Sequence, residues 1–180
     1  MKRIIATVAL ALVTVCAFAQ VSSILRPRIE IAEVTAEENS TDIEVFYMND
    51  ESPRMYYLSL GNLGIGSDLV QLNFDPVFEL FLPLGNTLEE AIAKMEEIKA
   101  LYKMPRRQST EIMACFAVSY PNDNMIPVTV TSRRLLGSKI LEFSIPTDTK
   151  GLVRATHIYR SNFRSLLGSV KVYKKLHPKE

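Results

Sequence analysis

Residues 87–105 read TLEEAIAKMEEIKALYKMP, and this stretch decides the fold class because it is the one long helical pattern that the sequence predicts. Thr87 and Glu90 have the spacing of a capping box, in which each side chain accepts a hydrogen bond from a backbone N–H at the helix start. Pro105 closes the pattern, because the residue before a proline disfavours helical geometry. One apolar stripe recurs at helical spacing: Leu88, Ala91, Ile92, Met95, Ile98 and Tyr102. We therefore expect one long helix over residues 87–103, packed on a sheet through this stripe.

Short segments with period-two alternation lie on both sides of the helix, and such alternation is typical of strands that bury one face. Before the helix, the sequence predicts strands at residues 28–36, 42–48, 55–60, 69–74 and 77–82. After the helix, it predicts strands at residues 111–120, 128–131, 141–145, 152–159 and 170–176. Residues 133–138 are predicted as a turn. Residues 161–167 are predicted as a short helix, with Ser161 as its N-cap and Gly168 as its stop.

These elements predict an α+β fold, mainly antiparallel β, with about nine or ten short strands and one long helix packed on a sheet. The strand at residues 111–120 is apolar on both faces, so we expect it to be central and covered on both sides. A β-sandwich with one added helix is the alternative. A parallel doubly wound fold is disfavoured, because it requires a crossover helix after most strands.

The first nineteen residues have the order of features that marks an export signal. Lys2 and Arg3 give a positive start, residues 4–15 are almost entirely apolar, and residues 17–19 offer a small-x-small cleavage pattern. We expect residues 1–19 to be a cleaved signal peptide, which places the working protein outside the cytoplasm, either in the periplasm or secreted.

Two other fates of this segment are weaker alternatives. The apolar run is short for a retained membrane anchor, which needs about 18 or more apolar residues. A lipid anchor through Cys16 is disfavoured because Val15, and not a small residue, precedes it. The remaining residues 20–180 contain no second long apolar run and no internal linker, so we expect a single β-rich globular domain with no transmembrane segment.

The composition of the remaining domain limits its partners. After cleavage, 19 basic and 20 acidic residues are left, and this net charge of −1 gives no case for nucleic acid or an anionic membrane as partner. Cys115 is the only cysteine after residue 19, so no intrachain disulfide can form and packing alone must hold the domain.

The charges are nevertheless unevenly distributed along the chain. Residues 20–104 carry 15 acids and 6 bases, whereas residues 105–180 carry 5 acids and 13 bases. The two halves could neutralise one another by packing together, which is the favoured interpretation. The alternative is a basic face that meets an acidic partner, formed by Arg106, Arg107, Arg133, Arg134, Lys171, Lys174 and Lys175.

Four of these arginines are the best candidates for binding such a partner. Arg106 and Arg107 form one pair and Arg133 and Arg134 another, and each pair lies next to a predicted turn. A guanidinium group can bind a carboxylate or a phosphate through two parallel hydrogen bonds. The partner expected for these residues is a protein or an envelope ligand of acidic character.

Candidates for catalysis are weak. His157 and Cys115 are the residues from which a nucleophilic pair could be built, because a histidine activates a thiol within hydrogen-bond reach. Cys115 lies in an apolar run, however, and apolar burial makes a thiol inert. Two histidines and one cysteine are too few for a zinc site, so we predict no metal site and no cofactor. Gly61, Gly64 and Gly66 lead into a strand pattern and not a helix, which favours a hairpin loop over a phosphate-binding loop.

Four aromatic residues cluster in two neighbouring predicted strands. Their alternation places Tyr47 and Tyr57 toward the core and Phe46 and Tyr56 on the opposite face. If that face is open, Phe46 and Tyr56 form a small platform for a ligand. If it is covered, they belong to the core, which is the favoured interpretation.

A good apolar core without a catalytic constellation points first to an exported, non-enzymatic protein, a ligand- or partner-binding module of the cell envelope. The second hypothesis is an exported hydrolase whose site is built from scattered carboxylates and His157. The third is a subunit of an envelope or surface assembly that pairs with its neighbour through an edge strand.

Overall fold

The computed structural model describes residues 28–35, 43–62, 64–66, 79–116, 125–146 and 153–178. Within these ranges the chain forms nine strands and two helices, and the α+β fold, mainly antiparallel β, is confirmed. The strands are β1 (Arg28–Val34), β2 (Ile43–Met48), β3 (Tyr56–Asn62), β4 (Gly64–Gly66), β5 (Glu79–Gly85), β6 (Ser109–Phe116), β7 (Ile126–Leu135), β8 (Ser138–Pro146) and β9 (Val153–Tyr159). The helices are α1 (Leu88–Leu101) and α2 (Arg160–Leu176).

All of these strands belong to one sheet, and every pairing between neighbours is antiparallel. The order across the sheet is β1-β2-β3-β5-β6-β7-β8-β9-β4. Only one residue separates β3 from β4 in the chain, yet β4 pairs with β9 at the far end of this order. The sheet must therefore curl until its last strands reach the end of β3.

The predicted capping box is present at the start of α1. The Glu90 amide donates to Thr87 Oγ1 at 3.2 Å, and the Thr87 amide donates to Glu90 Oε2 at 3.3 Å. These two bonds satisfy backbone donors that a helix start otherwise leaves without partners. The helix buries the predicted stripe at Leu88, Ala91, Met95 and Ile98.

The main core lies between one face of the curled sheet and the two helices. Helix α2 buries Phe163, Leu166, Leu167 and Val170 in the same apolar cluster that receives the stripe of α1. Just after α1, the Tyr102 hydroxyl donates to the carbonyl of Ile158 on β9 at 3.0 Å. Apolar burial on this scale is the dominant stabilising contribution in a domain without disulfides.

The prediction of a single long helix was wrong, because residues 160–176 form a second one. A short helix ending at Gly168 and a strand over residues 170–176 were expected in its place. The helix continues through Gly168, since its buried residues recur at spacings of three and four rather than two. A glycine weakens a helix interior by about 1 kcal/mol, which tertiary packing readily offsets.

The structure also bears on one predicted turn and two predicted strands. Residues 133–138 were expected to form a turn, but β7 continues to Leu135 and β8 begins at Ser138. The strand at 111–120 was expected to be covered on both faces, whereas Met113 on β6 is 48% exposed. The strand predicted at residues 69–74 lies outside the described residues.

Candidate functional site

The structure brings the two predicted arginine pairs together at one end of the sheet. The loop that follows α1 carries Arg106 and Arg107, and it lies against the end of β7. The Arg107 amide donates to the Ser132 carbonyl at 2.8 Å, and the Ser132 amide donates to the Gln108 carbonyl at 3.1 Å. Arg133 follows Ser132 directly, so residues almost thirty positions apart in sequence become neighbours.

Lys103, Lys139 and Arg160 lie at the same end, and Lys103 directly follows Tyr102 in the chain. The Lys139 ammonium donates to the Tyr102 carbonyl at 3.1 Å, and Lys139 is the cross-strand partner of Arg134. Arg160 begins α2 directly after β9, and its charge acts on the buried Tyr102 hydroxyl. We call this group of seven the basic end: Lys103, Arg106, Arg107, Arg133, Arg134, Lys139 and Arg160.

One member of the basic end is ion-paired with a carboxylate of the sheet, since Arg133 reaches Glu142 at 3.1 Å. Arg106, Arg107 and Arg134 are all exposed. Several like charges close together create a positive potential that attracts anions.

Backbone strain is concentrated at the same place. Only two non-glycine residues among those described have left-handed backbone geometry, Arg107 with φ of 67° and Leu136 with φ of 47°. Arg107 belongs to the basic end, and Leu136 lies at the tip of the β7–β8 hairpin between Arg134 and Lys139. Such geometry costs of order 1 kcal/mol or more, and strained residues cluster at functional sites. Both residues lie in turns, one within the basic end and one beside it.

A row of polar side chains crosses four strands beside the basic end. Thr131 is the cross-strand partner of Ser109 and of Glu142, and Glu142 is in turn the partner of His157. The hydroxyl groups of Ser109 and Thr131 lie 2.8 Å apart, which is a hydrogen bond. Glu142 and His157 are 7% and 4% exposed, so these two members of the row are buried, whereas Ser109 at its other end is exposed.

His157 is the least satisfied member of the row. Its buried Nε2 atom has no hydrogen-bond partner among the described residues. Burial lowers the pKa of His157, so the imidazole is neutral at neutral pH and adds no charge to the basic end. The charged side chain in the row is that of Glu142, and its ion-pair partner is Arg133 of the basic end.

The two weak catalytic candidates do not form a pair. Cys115 lies on β6 and His157 on β9, with β7 and β8 between them, so about 14 Å of sheet separates the two strands. Burial, together with the charge of Glu51, raises the pKa of the Cys115 thiol to about 12. The thiol donates a long hydrogen bond of 3.6 Å to the Phe81 carbonyl. Cys115 is therefore a packed core residue without nucleophilic character.

The predicted aromatic platform is divided between the two faces of the sheet. Phe46 pairs with Tyr57, and Tyr47 pairs with Tyr56, and cross-strand partners share a face. The prediction that Phe46 and Tyr56 lie on one face was therefore wrong. Both are buried. Phe46 packs with Tyr57 in a small aromatic cluster, whereas Tyr56 belongs to the main core.

Lys171 and Lys174, expected on the basic face, instead bridge the acidic and basic halves of the chain. Their ammonium groups contact the carboxylates of Glu96 and Glu89 on α1 at 2.5 and 2.6 Å. Hydrogen bonds from Lys171, and then from Lys99, lower the pKa of Glu96 to about 2. Some of the opposite charge of the two halves is thus neutralised between α1 and α2.

Comparisons with family models, curated proteins and solved structures give no match to this chain. Neither described helix has the length and apolar character that a membrane-crossing helix needs. Groups of three or more potential metal ligands from His, Cys, Asp and Glu are also absent from the described ranges.

Sequence reasoning identified four members of the basic end and missed Lys103, Lys139, Arg160 and the tip residue Leu136. The four arginines stood out because each pair is adjacent in sequence. The missed lysines and Arg160 are isolated in sequence, and only the pairing of β7 with β8 and the start of α2 bring them close. A signal for Leu136 was present in the dipeptide Leu136-Gly137, because a glycine between two strand patterns marks a tight turn.

Proposed function

We propose that this protein is a non-enzymatic binding module that holds an anionic partner against the basic end. The observation that carries the proposal is the convergence of seven cations from four separate parts of the chain at one end of the sheet. Guanidinium groups predominate there, and they bind carboxylates and phosphates with defined geometry.

The location of this activity follows the sequence prediction of an export signal. With residues 1–19 removed, the module would act in the periplasm or after secretion, as a component of the cell envelope. Its anionic partner would then be a surface or a macromolecule outside the cytoplasm. Long-range attraction between the basic end and such a partner weakens with salt, because surface charges are screened over about 8 Å at physiological ionic strength.

The test compares two variants that change the net charge by the same amount. Arg106→Glu with Arg134→Glu reverses two exposed charges within the basic end. Lys94→Glu with Lys175→Glu reverses two charges outside the basic end, one half-exposed on α1 and one exposed on α2. Retention on immobilised heparin, used as a general polyanion, is measured as the salt concentration needed for elution.

We expect the wild-type protein and the Lys94 and Lys175 variant to be retained above physiological salt. The Arg106 and Arg134 variant should elute at much lower salt, because binding free energy to a polyanion depends on the number of contacting cations. Equal loss of retention in both variants would show that net charge, and not the basic end, drives binding. Circular dichroism of all three proteins checks that the fold is unchanged.

One observation favours a second candidate function, a hydrolase that uses His157. Glu142 is the cross-strand partner of His157, and a neutral imidazole beside a carboxylate is the arrangement of a general base. Both side chains are buried, and Glu142 is engaged by Arg133. A screen with nitrophenyl ester and glycoside substrates tests this candidate, and activity that His157→Asn abolishes would support it over the binding module.

A further inference from the structure

The tip of the β7–β8 hairpin carries the most exposed large apolar side chain among the described residues. Leu136 is 94% exposed, whereas the next most exposed, Leu176 near the end of α2, is 71% exposed. Leu135 pairs with Ser138, so Leu136 and Gly137 form a two-residue turn that projects from the sheet. An isolated exposed leucine is ordinary in itself, and the backbone at this position is what makes it informative.

Leu136 has a backbone geometry that leucine normally avoids. Its φ is 47° and that of Gly137 is 84°, so both turn residues have positive φ. Tight hairpin turns of this kind prefer Asn-Gly or Asp-Gly, because asparagine and glycine tolerate the left-handed region and a leucine does not. The chain thus places a leucine where asparagine would be both less strained and better hydrated.

Contacts of Leu136 within the described structure do not offset the cost of its strained backbone and its exposed apolar side chain. Almost all of the Leu136 side chain faces solvent, and a Cβ built at Gly137 would meet no atom within 4 Å. An apolar environment outside the molecule would compensate for it, since transfer of a leucine side chain out of water is strongly favourable. The tip therefore points to an apolar phase or an apolar pocket as its partner.

The cations of the basic end stand directly behind the tip. Arg134 and Lys139 lie two and three residues from Leu136, one on each strand of the hairpin. The Arg134 guanidinium donates to the Gly137 carbonyl at 3.3 Å, so its charge lies at the turn itself, whereas the Lys139 ammonium donates to the Tyr102 carbonyl. Apolar groups of proteins bound at a membrane interface penetrate about 5–10 Å, while Lys and Arg remain at the level of the headgroups. The Arg134 charge is therefore close enough to Leu136 to meet headgroups when the leucine side chain inserts.

We propose that the anionic partner of the basic end is a lipid bilayer with anionic headgroups, into which Leu136 inserts. This inference rests on the proposed function and adds the identity of the surface. Headgroups are mobile in the plane of the membrane, so cations beside the tip can meet them without a surface of complementary shape. An acidic protein would have to supply carboxylates and also a pocket fitted to a single protruding leucine.

The net charge of the domain alone predicts no binding to an anionic membrane. The net charge of −1 after cleavage of residues 1–19 gives no case for an anionic membrane as partner. Net charge averages over the whole surface, however, whereas each cation within a Debye length of the membrane contributes on its own. A locally basic end can therefore dock on an anionic surface while the rest of the domain remains acidic.

The experiment measures cosedimentation with vesicles of phosphatidylcholine, with and without phosphatidylglycerol. The wild-type protein should bind only the vesicles that contain phosphatidylglycerol. Leu136→Asn should bind them roughly tenfold more weakly, in line with the loss of one inserted leucine. The same variant should unfold at an equal or higher temperature, because asparagine suits the turn, so weaker binding could not be attributed to misfolding.

A second variant reports insertion directly. The chain contains no tryptophan, so Leu136→Trp places a single indole at the tip. Its emission should shift to the blue and become sensitive to brominated lipids when phosphatidylglycerol vesicles are added. Cosedimentation with unchanged emission would overturn insertion, as would equal binding by the wild-type protein and Leu136→Asn.

Heparin retention separates this inference from the proposed function. Retention by heparin without binding to either vesicle would overturn the membrane inference and leave an acidic macromolecule as the partner of the basic end. Loss of heparin retention by Leu136→Asn would overturn the separate role of the tip, since that substitution removes no charge. Failure of the wild-type protein to bind either heparin or vesicles would overturn both proposals.

Discussion

Replacing Arg28 by methionine tests the ion cluster that joins Arg28 on β1 to carboxylates on β2 and β5. The guanidinium of Arg28 donates to Glu79 Oε1 and Oε2 at 2.8 and 2.7 Å, and to Glu44 Oε1 at 2.7 Å. It also lies 4.9 and 4.8 Å from the ring centres of Phe46 and Phe81. Methionine retains a long apolar side chain against these rings and removes the charge and all three hydrogen bonds.

The expected cost follows from the burial of the two carboxylates. Their side chains are 22% and 16% exposed, and without Arg28 neither has another cation among the described contacts. Breaking a fully buried pair costs about 3–5 kcal/mol, because it leaves an uncompensated charge. Allowing for partial solvent exposure, we expect Arg28→Met to lower the free energy of unfolding by about 2–3 kcal/mol at pH 7.

The pH dependence has a definite sign. Burial raises the pKa of Glu44 above its ordinary value even with Arg28 present, and Arg28 is a group that lowers it. Removing Arg28 must therefore raise the pKa of Glu44 further. A carboxyl with a raised pKa in the folded state binds protons more readily there than in the unfolded chain. The cost of the substitution should consequently shrink as the pH falls from 7 toward 4.

Urea unfolding followed by circular dichroism at both pH values measures these changes. Lys94→Met is the matched control, because it removes the exposed pair with Glu97, for which we expect less than about 0.5 kcal/mol. Two results would refute the reasoning. One is an Arg28→Met variant within about 0.5 kcal/mol of the wild-type protein at pH 7, and the other is an equal cost at both pH values.

Three further expectations concern residues away from the basic end. Gly168→Ala should raise the free energy of unfolding by about 0.5–1 kcal/mol, because a Cβ at Gly168 meets nothing within 4 Å and alanine favours a helix interior. A lower urea midpoint for this variant would contradict the open space there. Cys115 should react with a thiol reagent at pH 8 only as fast as the protein unfolds, since burial raises its pKa to about 12. Rapid modification of the folded protein would show that the site is accessible. His157 should contribute a loss of stability as the pH falls below about 6.5, because burial lowers its folded pKa and the unfolded chain then binds more protons. His157→Asn should flatten the curve of stability against pH between 7 and 5.5, and an unchanged slope would indicate that another group causes it.

The two helices show which local signals a sequence carries. Helix α1 was predictable because its capping box and apolar stripe are local and agree with each other. Helix α2 was missed because Gly168 resembles a stop, and because Val170 and Val172 flank Lys171 in the alternation of a strand. Contacts with α1 and the sheet, which are not local, decide in favour of the helix.

The candidate site depends even more on long-range pairing. Alternation alone cannot determine which residues of two strands face each other. The prediction that Phe46 and Tyr56 share a face was wrong because the register of β2 and β3 pairs Phe46 with Tyr57. The arginine pairs succeeded as candidates because clustered charge is visible in the sequence. Their convergence with Lys139 and Arg160 required the β7–β8 pairing and the path of the chain into α2.

The curl of the sheet has a consequence for how the chain folds. The ladder between β4 and β9 joins residues 64–66 to residues 153–155, which are about ninety positions apart. Closing so long a loop costs entropy that local contacts do not repay, so folding rates fall as such pairings come to dominate. On a ribosome, β4 would emerge several seconds before its partner, at about 5–20 residues per second. The β4–β9 ladder should therefore be among the last parts of the sheet to gain protection from hydrogen exchange during refolding.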